Sequence, residues 1–282
     1  MPLALELTLA VGAVLAVAVS AAVAIGARRK ARDLDALVQS LLVSAPVADT
    51  GPMTTPADLP APVARYLSRA IPNACPIRVA RLSQTGTLRP DARSGRWMAF
   101  EATHTAAPLA KGFVWDARVS IAPLLHVRVR DALVEGRGSG QVALMSAFAV
   151  EADSGRTEMN SGSLHRFLAE AVWYPTALIP GENLNWEPVD DARALATLTV
   201  GQLEVSLEFR FGDAGEVLSI YTPGRWGRFE GRYEQLPWEG HFARYAVREG
   251  FRVPVEGEVG WYFDGDWQPV WRGTITNVAF EF

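Results

Sequence analysis

Residues 7–26 form an unbroken run of twenty uncharged, mostly aliphatic residues, and Arg28, Arg29, Lys30 and Arg32 follow directly. As a helix rising about 1.5 Å per residue, such a run covers about 30 Å, the thickness of a bilayer's hydrocarbon core. It offers almost no polar face to turn towards water, so the sequence predicts a membrane-spanning helix. A cleaved signal peptide is the competing reading. Those peptides carry their positive charge ahead of an apolar core of about 7–15 residues. Here no base precedes the run, and although Ala21-Ala22-Val23-Ala24 imitates a cleavage site, the basic collar comes straight after it. The same asymmetry places the collar, and everything beyond it, on the cytoplasmic side of an inner membrane. An extracytoplasmic domain is the alternative. A single cysteine, Cys75, cannot form an internal disulfide and agrees with the cytoplasmic placement.

Charge narrows the partners. The chain carries a net −4, and because its first 32 residues hold four bases and one acid, the remainder carries −7. An acidic domain without a basic cluster lacks what phosphate contacts require, so no nucleic-acid partner is expected. The expected partners are the lipid bilayer, through residues 7–26, and an apolar small molecule. Nine tryptophans are enough to line an aromatic pocket.

Periodicity divides the rest. Leu34, Leu37, Val38, Leu41 and Leu42 share one helical face, which either continues the span, lies at the interface or packs on the domain. Residues 45–57 have linker composition. A short helix follows, with Asp58 expected as its N-cap, Pro60 in its first turn, Val63, Tyr66, Leu67 and Ala70 on its buried side and Pro72 ending it. The expected organisation is therefore anchor and collar over 1–32, amphipathic helix and linker over 33–57, and one β domain over 58–282.

Beyond Cys75 the period changes to two. Phe113–Val119, Val127–Arg130, Leu203–Phe211 and Val255–Val259 alternate as strands, with turns at Gly212–Gly215 and Asp264-Gly265. Ten or eleven strands are expected. One clear helix, capped by Asn160 or Ser161, presents Leu164, Phe167, Leu168, Ala171 and Val172, and Pro175 ends it after Trp173-Tyr174. Gln141–Phe148 reads as a second, weaker helix. The fold class is mainly β: a large curved antiparallel sheet, half-barrel-like, with one or two helices on its concave face, preceded by the transmembrane helix.

Catalytic and metal motifs are absent. His104, His126, His165 and His241 have no metal-ligand spacing, so no metal site and no cofactor is expected. Ser139, between Gly138 and Gly140, lacks a nucleophile-elbow spacing, and its glycines read as a turn. Glu256 and Glu258 share one strand face and read as solvated near basic neighbours. No catalytic residue is assigned.

The segment Glu170–Pro180 carries the most information. A helix ends in Trp173-Tyr174, and two prolines then stiffen an apolar loop, as a plug for the sheet or as the rim of a pocket. Arg128 and Arg130 share a strand face and pair across strands, with Glu170 or with a ligand headgroup. The candidate ligand-binding residues are Trp115, Arg128, Arg130, Glu170, Trp173, Tyr174 and Trp238.

Several of these motifs carry a resemblance. Gly112–Ala117, Arg128–Asp131, Glu170–Ala177, Pro237–Gly240 and Trp271-Arg272-Gly273 resemble a bacterial family of unknown function that often has one N-terminal membrane span. The resemblance covers residues 58–282 and implies no activity or catalytic residue. More loosely, the architecture is similar to the lipoprotein-carrier half-barrel, which holds acyl chains. The expected function is a membrane-anchored, non-enzymatic domain that binds an apolar or amphipathic small molecule such as a lipid. The alternatives are a protein-interaction module docking through Leu178 and Ile179, and an enzyme using Glu170 or His165.

Overall fold

The computed structural model describes residues 2–46, 58–71, 75–90 and 95–282, with side chains from Leu7 onward. The chain opens with one continuous helix, α1 (Pro2–Ser44), whose first part is long and apolar enough to cross a membrane. Its side chains from Leu7 to Val19 lie exposed. The amphipathic segment predicted over 33–43 continues the same helix and packs on the domain. Leu34, Leu37, Val38, Leu41 and Ala45 form a small core against Ala107, Val114 and Ala132, with Leu41 completely buried. Most of the linker, residues 47–57, lies outside the described residues, as does Pro72.

Helix α2 (Ala61–Ala70) buries Val63, Tyr66, Leu67 and Ala70 as its spacing predicts. Its N-cap is Pro60, with no capping side chain; Asp58 sits in the preceding turn instead. Thirteen strands then build a single sheet. The first six are β1 (Val79–Leu88), β2 (Met98–Ala107), β3 (Gly112–Ala122), β4 (Leu125–Val134), β5 (Arg137–Leu144) and β6 (Phe148–Ser154). Helix α3 (Thr157–Glu170) and two 3-10 turns (Ala171–Trp173, Pro175–Leu178) follow. The rest are β7 (Leu184–Pro188), β8 (Arg193–Val200), β9 (Leu203–Phe211), β10 (Val217–Phe229), β11 (Arg232–Arg248), β12 (Phe251–Phe263) and β13 (Asp266–Glu281).

The strand order, β6-β5-β4-β3-β2-β1-β13-β12-β11-β10-β9-β8-β7, is antiparallel throughout. Strands β1–β6 step outward in one direction, β7–β13 step back from the far edge, and β13 closes on β1 in the middle. The link between the edge strands β6 and β7 must therefore cross the whole concave face. That link is α3 with its 3-10 turns, and it places Leu164, Phe167, Leu168 and Val172 onto the inner face of the sheet.

The inner face is built by alternation. In β9, Val205, Leu207, Phe209 and Phe211 point inward while Glu204, Glu208 and Arg210 point out. Glu256 and Glu258 lie on the outer face beside Arg244 and Arg272, as solvated strand residues. Two segments differ from the sequence reading. Gln141–Phe148 is not helical: it is the end of β5, a turn and the start of β6, with Met145 and Ser146 at φ 50 and 58°. The glycines around Ser139 lie inside β5 and not in a turn; a Cβ at Gly138 would sit 2.8 Å from the Met159 carbonyl of α3, so the residue lets helix and strand touch. Helix α3 begins before Asn160, whose side chain accepts a hydrogen bond from the Gly138 amide (2.7 Å).

Candidate functional site

Beneath α3, the concave face leaves a cavity of about 260 Å³. Its walls are mainly aromatic: Trp115 from β3, Trp173 from the first 3-10 turn, Trp238 and Phe242 from β11, and Trp271 from β13. Room for the rings comes from small residues on the inner face. Gly86, Gly273 and Gly257 form a row across β1, β13 and β12, and a Cβ at Gly273 would lie 2.3 Å from the Trp271 ring. Trp173 packs edge-on against Phe242, with ring centroids 6.3 Å apart, and tilted against Trp271 at 6.1 Å. The indole N–H groups of Trp173 and Trp238 are buried without an acceptor among the described residues.

One side of this apolar chamber carries charge. Arg166 of α3 donates to Glu170 one turn on (2.8 Å) and to Asp131 of β4 (2.8 Å). Burial works against its charge, but the two carboxylates outweigh that and hold Arg166 firmly protonated. Asp131 is pushed up by burial, an effect that Arg166 only partly offsets. It sits deep in the fold yet keeps 41% of its side-chain surface accessible, as a cavity-lining group does. The Arg166 guanidinium also lies over Phe113 and Trp115, at 5.0 and 4.9 Å from the ring centroids.

Arg225 of β10 stands apart from this pairing. It lies over Trp238 (4.4 Å) and Trp261 (5.0 Å), and its Nε donates to the Gly162 carbonyl of α3 (3.1 Å). No ion pair joins it to a carboxylate among the described residues. Burial, reinforced by the like charge of Arg166 and only partly offset by Glu170 and Asp131, pulls it down to about 9. A second cavity of about 220 Å³, lined by Ser139, Ser163, Trp226 and Tyr233, lies on the other side of Asp131, Arg166 and Arg225, which line both.

His104 closes the back of the site. It is fully buried between Phe113 and Tyr174, with ring centroids 5.6 and 6.2 Å away, and its Nε2 lies 3.6 Å from Glu170 Oε2. Burial lowers it to about 4, overriding Glu170, so the ring is neutral at physiological pH. His165, also lowered to about 4 by burial and by Arg225, has its Nδ1 on the Ser161 carbonyl (3.0 Å). Neither histidine lines the main cavity, and Glu170 is held by Arg166. No group of three or more potential metal ligands occurs among the described residues.

The sequence-derived candidates separate accordingly. Trp115, Glu170, Trp173 and Trp238 converge on the cavity. Tyr174 lies behind the wall, fully buried, donating to the Phe167 carbonyl (3.1 Å). Arg128 and Arg130 are on the opposite, outer face, because β4 points Val129 and Asp131 inward. There Arg128 forms a bidentate pair with Asp116 of β3, and Arg130 reaches the Lys30 carbonyl of α1 (3.0 Å). Neither arginine is near Glu170. Sequence reasoning missed Arg166 and Arg225. The signal for Arg225 is Pro223-Gly224 inside a strand: the β10–β11 register slips between Thr222 and Arg225, and such a bulge re-aims the next side chain.

Solved structures similar to the chain include a LolA superfamily protein from Nitrosomonas europaea, at 9% identity and a TM-score of 0.42, covering 82% of this chain and 95% of the other. A porin-like protein from Bacteroides uniformis aligns at 8% identity and a TM-score of 0.30, over 73% of this chain and 98% of its own. A β-barrel-like protein of the DUF1849 domain from Brucella abortus aligns at 11% identity and a TM-score of 0.30, over 73% and 99%. No curated protein matches the chain in sequence. The model of the DUF6544 family matches residues 52–273, and the chain belongs to that family, whose function is unknown.

Proposed function

We propose that this protein is a membrane-anchored domain that binds an apolar or amphipathic small molecule, such as a lipid, in the cavity beneath α3. The observation that carries the reading is the chamber itself, a mainly apolar volume walled by Trp115, Trp173, Trp238, Phe242 and Trp271, with Asp131, Arg166, Glu170 and Arg225 clustered at one side. Pockets of this make-up, mostly aromatic with a few converging polar groups, are the usual form of small-molecule sites. Of the two residues of the docking alternative, Leu178 is completely buried and Ile179 half-buried against the core, which favours the cavity reading.

Membrane attachment is supported from a second direction. Helix α1 meets the β5–β6 turn where Gly26 approaches Ala147, at the end of the apolar run. The neighbouring β3–β4 turn is tied to that turn by the Met145 amide on the His126 carbonyl (2.9 Å). Around these turns Leu124, Phe148 and Val150 are exposed, Leu124 by 95%. Leu124 also adopts φ 64°, a conformation that favours Gly or Asn. Phe148 lines a groove with Arg29 and Arg32, and exposed apolar side chains beside basic ones fit a bilayer surface. The charge asymmetry of α1 favours the cytoplasmic face of an inner membrane.

The test is solvent extraction of the purified full-length protein followed by mass spectrometry, with Val270→Trp as a variant that fills the cavity. A molecule recovered in stoichiometric amount from the wild type and depleted in the variant supports the reading. Equal recovery from both places the molecule in the surrounding detergent or lipid and contradicts it.

A further inference from the structure

We infer that the ligand of this cavity carries an anionic head, a carboxylate or a phosphate monoester, on an apolar chain, and that Arg225 receives the head. The inference rests on the cavity being a binding site, and it adds the chemistry of the occupant.

The nearby charges are unevenly committed. Asp131 and Glu170 both direct an oxygen at Arg166, each at 2.8 Å. Arg225 makes one hydrogen bond, from Nε to the Gly162 carbonyl, and this leaves its two terminal nitrogens without a carboxylate among the described residues. Glu170 and Asp131 act on Arg225 through space without touching it, and an arriving anion can add the charge-assisted, often bidentate hydrogen bonds that neither makes. The local fold holds Arg225 in this position. A bulge at Pro223-Gly224 turns it inward, Trp238 and Trp261 clamp its plane, and Gly162 lets α3 come close enough to take Nε. A Cβ at Gly162 would meet the Trp226 carbonyl at 2.5 Å. The walls add two further donors, the unpartnered indole N–H groups of Trp173 and Trp238, against one unpartnered acceptor, Glu170 Oε2.

Size points the same way. The main chamber, about 260 Å³, lies just below the ~300–1,000 Å³ of typical ligand pockets. The second, about 220 Å³, begins on the far side of Arg225 and is lined by Ser139, Ser163 and Tyr233. A chain among the tryptophans with its head at Arg225 uses the apolar chamber for the tail and the polar boundary for the head. A cationic head would meet an unpaired arginine, and a neutral one would leave it unpaired.

The experiment uses the full chain in lipid nanodiscs at pH 7.5, with tryptophan fluorescence as readout and empty discs as blank. Octanoate, octyl phosphate, 1-octanol and octylammonium share one chain length and differ in head. The expected result is that octanoate or octyl phosphate binds at least about tenfold more tightly than octanol, with octylammonium weakest, since a charge-assisted bond is worth about 1.5–3 kcal/mol. Which anion binds better distinguishes carboxylate from phosphate. Arg225→Met, which keeps the packing between the two indoles, should abolish the preference while octanol binding persists. Equal binding of all four heads by the wild type overturns the anionic-head inference and leaves the apolar site standing, whether or not the variant folds. Failure of all four to bind overturns the binding reading itself.

Discussion

Arg166 and Arg225 belong to one polar boundary between the two cavities and differ in what holds them. Arg166 is neutralised from within the chain by Asp131 and Glu170, so it belongs to the scaffold as much as to the site. Truncating Glu170 to Ala should therefore cost stability, because it strips a partner from a buried charge, by about 3 kcal/mol; chemical denaturation measures this. The outer pair behaves separately. Asp116→Ala leaves Arg128 and Arg130 unpaired and should lower the denaturation midpoint while octanoate binding stays unchanged, which fluorescence titration checks. His104 gives a pH signature. An ordinary histidine titrates near 6.5 and His104 near 4, so between those values the unfolded chain takes up a proton that the folded one refuses. Stability is thus full above about pH 6.5 and falls as the pH drops towards 4, by up to about 3 kcal/mol at ~1.4 kcal/mol per unit. Denaturation midpoints across that range should fall less steeply in His104→Phe than in the wild type.

At the scale of elements, legibility followed the turns. Strands bounded by Gly or Asp-Gly, such as β9 and β12, are visible from alternation because a residue with free access to positive φ marks where each ends. The β5–β6 turn is not, since Met145 and Ser146 adopt positive φ without Gly or Asn, and Leu144, Ala147 and Phe148 then have the i, i+3, i+4 spacing of a helical face. Faces were legible within a strand but not between strands: alternation puts Arg128 and Arg130 together, while only the sheet's register shows that their side is the outer one. The pocket tryptophans came through because their motifs are distinctive; Arg225 did not, because a bulge changes the parity on which alternation depends. Helix α1 supplies a prediction of its own. The half of it that packs on β2–β4 buries Leu41 completely, so Leu41→Ala should destabilise the domain by about 2–5 kcal/mol. The exposed tips act differently: replacing Leu124 and Phe148 by Glu should leave stability within about 0.5 kcal/mol. It should also abolish quenching, by brominated lipid, of a fluorophore attached at Val150; unchanged quenching would place the tips away from the bilayer.

Across the whole molecule, topology makes the site. Because the sheet steps out through β6 and returns from β7, the chain has to cross its own concave face, and the crossing segment supplies Arg166, Glu170 and Trp173 in sequence. The first and last strands meet at β1 and β13 in the middle of the sheet, directly under that crossing, where inner-face glycines leave space for indole rings. The outer face of β2–β4 is taken up by α1, so the long apolar helix and the chamber occupy opposite sides of one sheet. The most direct test of this account is native mass spectrometry of the full-length protein released from its membrane mimetic, wild type beside Val270→Trp. The account predicts one discrete small-molecule adduct per chain in the wild type and its loss in the variant. A wild type that carries no adduct, or an adduct that the variant retains, would contradict it.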